Sequence, residues 1–331
     1  APAPAGRPRL LGRPRRGRRI RGARVGDNPR MLALTLAIAA SVAAGAWSQR
    51  RFGAGALALT RRLLDAMLYG ALPLIVFFVL ARTELTAGLG IGLLLAFAVH
   101  AVVGLVAWAI ATRVLRLPPA SAAMLVVAAV MANTGFFGAP VIATLLGHDE
   151  LGAAITFDAL VSGPMFFVVG FAIAAAFTTR GEPASARMRT YLLRNPPLLA
   201  VAAALVAPDA LAPDVLVEIA RGALIALAPV GFFVVGVQLA HERIGFPPPL
   251  GAPVAIVVGL RMVVAPLLLL GLVALTTDVP DAYLLQAAMP VGVNTLVVAH
   301  AYDLDRALAA AALAWSTALA LAVALGAAAF A

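Results

Sequence analysis

Met131-Ala132-Asn133-Thr134-Gly135-Phe136-Phe137-Gly138-Ala139-Pro140 lies inside the hydrophobic segment 120–146, and Met289-Pro290-Val291-Gly292-Val293-Asn294-Thr295 lies inside a second one, 281–300. Each places helix breakers and an amide side chain where a membrane-spanning helix should run unbroken. In lipid every backbone N–H and C=O needs a partner within the protein, so an interrupted span survives only when buried or lining a cavity. Two interrupted spans in matching positions of two halves point to the binding site of a secondary transporter. Length agrees, because residues 120–146 as one helix would measure ~40 Å against a hydrocarbon layer of ~30 Å.

Working outward, the 331 residues are 63% hydrophobic and 12% charged, far too apolar for a water-soluble domain. The absence of cysteine excludes disulfide frameworks, thiolate metal sites and cysteine nucleophiles. The formal charge of +10 is concentrated at one end: residues 1–30 hold ten Arg and one Asp, leaving 15 Arg and 14 acids for the rest. Residues 1–30 therefore read as an Arg/Pro-rich disordered tail. No nucleic-acid recognition fold accompanies it, so the partners expected are membrane lipid and a small organic anion, with no nucleic acid. Met31 directly precedes the first apolar run, and a chain beginning there would have a more consistent topology.

Apolar runs between charged or Pro-rich breaks give about ten spans: 31–49, 63–81, 87–112, 120–146, 151–177, 191–207, 216–240, 253–275, 281–300 and 306–331. A shift of 154 residues lays Pro140 on Asn294 and Asp149 on Asp303. The reading is an all-α polytopic membrane protein with a 5+5 inverted repeat: 31–177, a cytoplasmic linker 178–190, and 191–331. An odd number of spans per half forces the second half to insert upside down, a common transporter plan. Loops after the odd-numbered spans carry twelve arginines (50, 51, 61, 62, 113, 116, 180, 187, 189, 194, 243 and 306), whereas Arg82 and Arg221 lie on the other side. The Arg-rich side is then cytoplasmic and both termini lie outside, for a multi-pass protein of the cell's inner (plasma) membrane.

A broken helix exposes N–H groups at one new end, suited to a carboxylate, and carbonyls at the other, suited to a cation. Gly135 and Gly138 let the chain unwind and a ligand approach, and Pro140 and Pro290 remove donors. Asn133 and Asn294 can donate and accept, either to substrate or to the broken backbone. Asp158 falls ~10 Å into the fifth span; an intramembrane carboxylate is costly and marks a functional position, here a candidate proton carrier. Arg261, ~12 Å into the eighth span, offers a fork that fits a carboxylate. Depth alone allows it to meet Asp158, and snorkelling to the headgroups is the plain alternative. His100 is a candidate titrating group in the third span, with hydrogen-bonded packing as its alternative. Gln238 and Gln286 are weaker candidates, and His148, Asp149 and Glu150 are too exposed a cluster for a metal site.

Asn133-x-Gly135-Phe136-x-Gly138-x-Pro140 resembles the signature of the auxin efflux carrier family, the PIN-like and bacterial carboxylate permeases. Met289-Pro290-x-x-x-Asn294, followed by Ala299 and Tyr302, resembles it too, with Pro73 and Arg261…Pro266 in support. The resemblance runs through residues 31–331 and leaves the preceding tail outside the pattern. It implies ten helices in a 5+5 inverted repeat, broken helices four and nine crossing at the midplane, and an organic anion moved by alternating access. No cofactor is implied beyond H+ or Na+ as a coupling ion, and a homodimer is one possible assembly.

Two other readings compete. A sodium-coupled bile-acid-type symporter would share the architecture and hold Na+ on carbonyls at the breaks. An intramembrane enzyme would need paired Asp motifs, a Ser–His pair or HExxH; none is present, so the expectation is a protein that is not an enzyme.

Overall fold

Pro73, Pro140, Pro164 and Pro266 each sit just beyond a widened turn. The π-helical turns Met67–Ala71, Thr134–Gly138, Asp158–Ser162 and Leu260–Val264 directly precede them. A proline has no N–H to give, and its ring crowds the carbonyl four residues back, so the preceding turn loosens to i→i+5 bonding. Pro229 is the exception and lies within a continuous α-helix.

The computed structural model describes residues 29–82, 87–177, 196–243 and 247–330, together with residues 185, 186, 189 and 193. Residues 1–28 of the expected tail, most of the 178–190 linker with Arg180 and Arg187, and Arg194 beyond it lie outside the described residues. The described residues are helical almost throughout and form no named strand. In order they are α1 (Pro29–Phe52), α2 (Ala54–Leu80), α3 (87–114), α4a (Pro119–Val130) and α4b (Thr134–Leu145), then α5 (151–177) and α6 (Pro196–Val206). The rest are α7 (Asp214–His241), α8 (Ala252–Thr276), α9a (Asp281–Ala287), α9b (Asn294–Ala301) and α10 (Arg306–Phe330). Among the described residues six helices, in α1, α2, α3, α7, α8 and α10, are long and apolar enough to cross a membrane. Pro119–Val130 and Thr134–Leu145, the two pieces of the broken α4, and Pro196–Val206 are shorter apolar helices.

The second span starts earlier than its hydropathy indicates. Only Gly53, at φ 51°, separates α1 from α2, so the helix begins at Ala54 rather than near residue 63. The Ala/Leu-rich run 54–60 propagates a helix readily. Arg61 and Arg62 therefore stand exposed on a helix, not in a loop.

Two groups of helices form around the breaks. In one, α1 runs along α7, and α2 packs on α6 and α7. The α1–α7 contact is backbone on backbone: a Cβ at Gly45 would fall 2.1 Å from the Phe233 oxygen, and one at Gly236 would fall 2.0 Å from the Val42 oxygen. Small residues are what permit such an approach between helices in lipid. In the other group α3, α5, α8 and α10 surround α4 and α9. Their ends are tied together in pairs. Ser121 Oγ at the start of α4a donates to Asp305 Oδ2 (2.7 Å), whose other oxygen accepts from Leu308 N in α10 (2.9 Å). At the start of α9a, Ala282 N donates to Glu150 Oε2, just before α5, at 3.4 Å.

Candidate functional site

Where α4 and α9 break, they cross. Ala132 and Val291 form an antiparallel bridge. Asn133 N donates to Pro290 O (2.8 Å), and Gly292 N donates to Met131 O (2.9 Å). A Cβ on Gly292 would lie 2.9 Å from the Ala132 oxygen, so the crossing requires glycine there. Val291 N donates to Ser316 Oγ of α10 (3.0 Å), and Thr295 Oγ1 donates to Gly292 O (2.7 Å). Groups orphaned by the breaks are thus paired within the protein, as a lipid surrounding demands.

The N-terminal end of α4b carries a carboxylate. Thr134 Oγ1 donates to Asp158 Oδ1. That carboxylate lies against Gly135, where an added Cβ would be 3.3 Å from Oδ2. Gln286 Nε2, fully buried on α9a, donates to Ala154 O (3.1 Å) and Thr134 O (3.3 Å), linking α9a, α5 and α4b. Its Oε1 occupies the space a side chain at Gly138 would need, 2.1 Å from the would-be Cβ. The carbonyl end of α9a carries a cation instead: Arg261 Nη2 donates to Ala287 O (2.6 Å) and Nε to Met289 O (3.1 Å).

A cavity of about 380 Å³ opens beside the crossing, between the two helix groups. Asn133, Thr134, Gly135 and Asp158 line it from α4 and α5, and Gly292 and Asn294 from α9. Leu64, Met67, Leu198, Leu224 and Leu227 face them from α2, α6 and α7. Asp158 is the sole formally charged residue among the described lining residues. Asn133 is 3% exposed, and its Nδ2 has no hydrogen-bond partner among the described residues; nor has the buried Ser162 Oγ on the same wall.

The structure thus brings four of the expected residues, Asn133, Gly135, Asp158 and Asn294, to one cavity. Gly138, Pro140 and Pro290 are buried in the crossing beside it. Arg261 and His100 do not line the cavity; Arg261 lies on the carbonyls at the end of α9a, and His100, whose Nδ1 meets Ala96 O of its own helix, stands with Nε2 3.4 Å from Arg261 Nη1. Direct pairing of Arg261 with Asp158 is absent among the described residues. Thr134, Ser162 and Ser316 went unmarked in the sequence. Thr134 had a signal, since its Asn-Thr pair recurs as Asn294-Thr295.

Apolar helices surrounding two crossed, broken helices and a cavity define a multi-pass membrane transport protein. The chain belongs to the membrane transport protein family, the auxin efflux carrier or PIN-like family, whose model matches residues 43–188 and 192–326. Among curated proteins, none matches it in sequence.

Proposed function

We propose that this protein is a secondary active transporter of organic anions, carboxylates or auxin-like weak acids, working by alternating access at the α4/α9 crossing. The observation that carries this reading is Asn133, a residue of the cavity wall whose buried Nδ2 has no acceptor among the described residues. Burying an unmatched donor is costly, so a ligand oxygen is its natural complement. The α9b N-terminus, at Asn294, adds partly positive N–H groups at the same cavity.

Asp158 gives the coupling its logic. It already places a carboxylate at the α4b N-terminus, so an anion entering the same cavity meets like charge unless Asp158 holds a proton. Proton and anion then load together. The 5+5 inverted repeat is part of this proposal. Its support is the antiparallel pairing of the two breaks and the reciprocal ties of α4a to α10 and α9a to α5. So is an inner-membrane orientation with the Arg-rich loops cytoplasmic and both termini outside.

The test is counterflow and uptake of labelled malonate, malate and indole acetate by the full chain in proteoliposomes, under imposed pH and Na+ gradients. Accumulation of at least one carboxylate, driven by the pH gradient, is expected. A folded protein that moves none of them under any gradient overturns the proposal.

A further inference from the structure

Arg261 is a buried cation whose charge is met by backbone. It is 1% exposed, on the π turn Leu260–Val264 of α8. Its two donations to Ala287 O and Met289 O take the carbonyls left where α9a stops. The third contact is with a neutral ring. His100 Nδ1 lies 2.7 Å from Ala96 O, a group that only accepts, so Nδ1 carries the hydrogen and Nε2 turns a lone pair toward Arg261 Nη1. No carboxylate among the described residues forms an ion pair with Arg261.

The carbonyl end of a half-helix is partly negative. In transporters with broken helices, such carbonyls are where coupling cations coordinate. Here a guanidinium uses those acceptors already. The loop it grips, Met289 to Gly292, carries the backbone groups that pair with Met131 and Asn133.

We propose that Arg261 is a tethered counter-cation that fills the cation position of the α9 break, so that the crossing is held together without sodium. The proposal rests on reading the α4/α9 crossing as the transport site. Arg261 is a positioning residue in this account, acting on the cavity through the Met289–Gly292 backbone.

The test is the melting of the purified full chain in sodium, choline and choline plus millimolar methylguanidinium chloride, for wild type, Arg261→Ala, Arg261→Met and Arg261→Lys. Wild type should melt equally in sodium and choline. Arg261→Ala should melt lower by about 5 °C or more in choline. It should regain about half of the loss or more when methylguanidinium enters the vacated space. Arg261→Met, which fills the space without charge, should gain nothing from the cation, and Arg261→Lys should fall between Ala and wild type. Three results overturn the proposal: wild type stabilised by sodium over choline, Arg261→Ala melting like wild type, or rescue that is absent or equal in Ala and Met. The sodium arm needs wild type alone and so decides even if the variants do not fold. Melting also needs no substrate, so these arms stand apart from failure of the transport reading. Uptake that strictly requires sodium would sink the tether and leave transport intact.

Discussion

The backbone N–H of Asn133 donates to the carbonyl of Pro290 at 2.8 Å, so a residue lining the cavity is itself positioned by the other broken helix. Under the proposed function, substrate contact and the crossing of the two breaks would meet in one residue.

Asn133→Ala is expected to weaken apparent substrate affinity by about tenfold or more, since a hydrogen bond to a charged group contributes ~1.5–3 kcal/mol. Its melting temperature should barely move, because Nδ2 has no partner among the described residues to lose. Asn294→Ala should also weaken uptake. Wild-type affinity in either folded variant would remove that residue from the site.

Asp158→Asn is expected to lose accumulation driven by a pH gradient while retaining exchange of substrate across the membrane. The amide keeps the shape and still accepts from Thr134 but cannot cycle a proton. Efflux, counterflow and pH-driven uptake measured side by side make the distinction; full accumulation by the variant would make Asp158 structural.

Gly236→Ala should destabilise the protein by ~1–3 kcal/mol, the usual cost of overpacking, or more, because its methyl group would meet backbone rather than a movable side chain. Gly222→Ala, on the same helix with nothing within 4 Å, should be neutral or slightly stabilising. Parallel thermal melts decide, and equal effects would mean that α1 and α7 do not touch as described.

Ser316→Ala should cost ~1–3 kcal/mol by leaving the buried Val291 N–H without its acceptor. Its neighbour offers a control. Thr317 Oγ1 is buried with no partner among the described residues, so Thr317→Val should be neutral or stabilising. Melts in the opposite order would refute the pairing.

The sequence was most legible where covalent chemistry limits the backbone. Neither Asn133 to Pro140 nor Met289 to Thr295 could be ordinary membrane helix, and each stretch meets a break, but the breaks are Met131–Asn133 and Ala288–Val293: Thr134 to Pro140 is already helix, opening on a π turn, and α9b starts at Asn294. Amphipathic detail was less legible: the run after Gly53 carries Arg61 and Arg62, which resemble a loop in hydropathy yet stand on a helix. Depth in the membrane, the one coordinate a sequence supplies, pairs Arg261 with a carboxylate. Depth says nothing of which helix lies alongside, and the acceptors it meets, Ala287 O and Met289 O, are backbone atoms with no signature in residue type. Thr134 is hard to single out for a related reason, since a threonine in an apolar run usually bonds its own helix, whereas this one reaches across to Asp158.

The widened turns before the prolines carry a consequence for chain length. Each is in effect a one-residue insertion into a helix. Removing one residue from 158–162 would restore ordinary winding and leave the faces on either side in register, because the widened turn absorbs its extra residue locally. A deletion in ordinarily wound helix, with no such turn to absorb it, would instead rotate one side by about 100° relative to the other and re-aim a whole wall of the cavity. Comparison of this chain with relatives should therefore admit single-residue gaps beside Pro73, Pro140, Pro164 and Pro266, where a gap leaves the inward face unchanged.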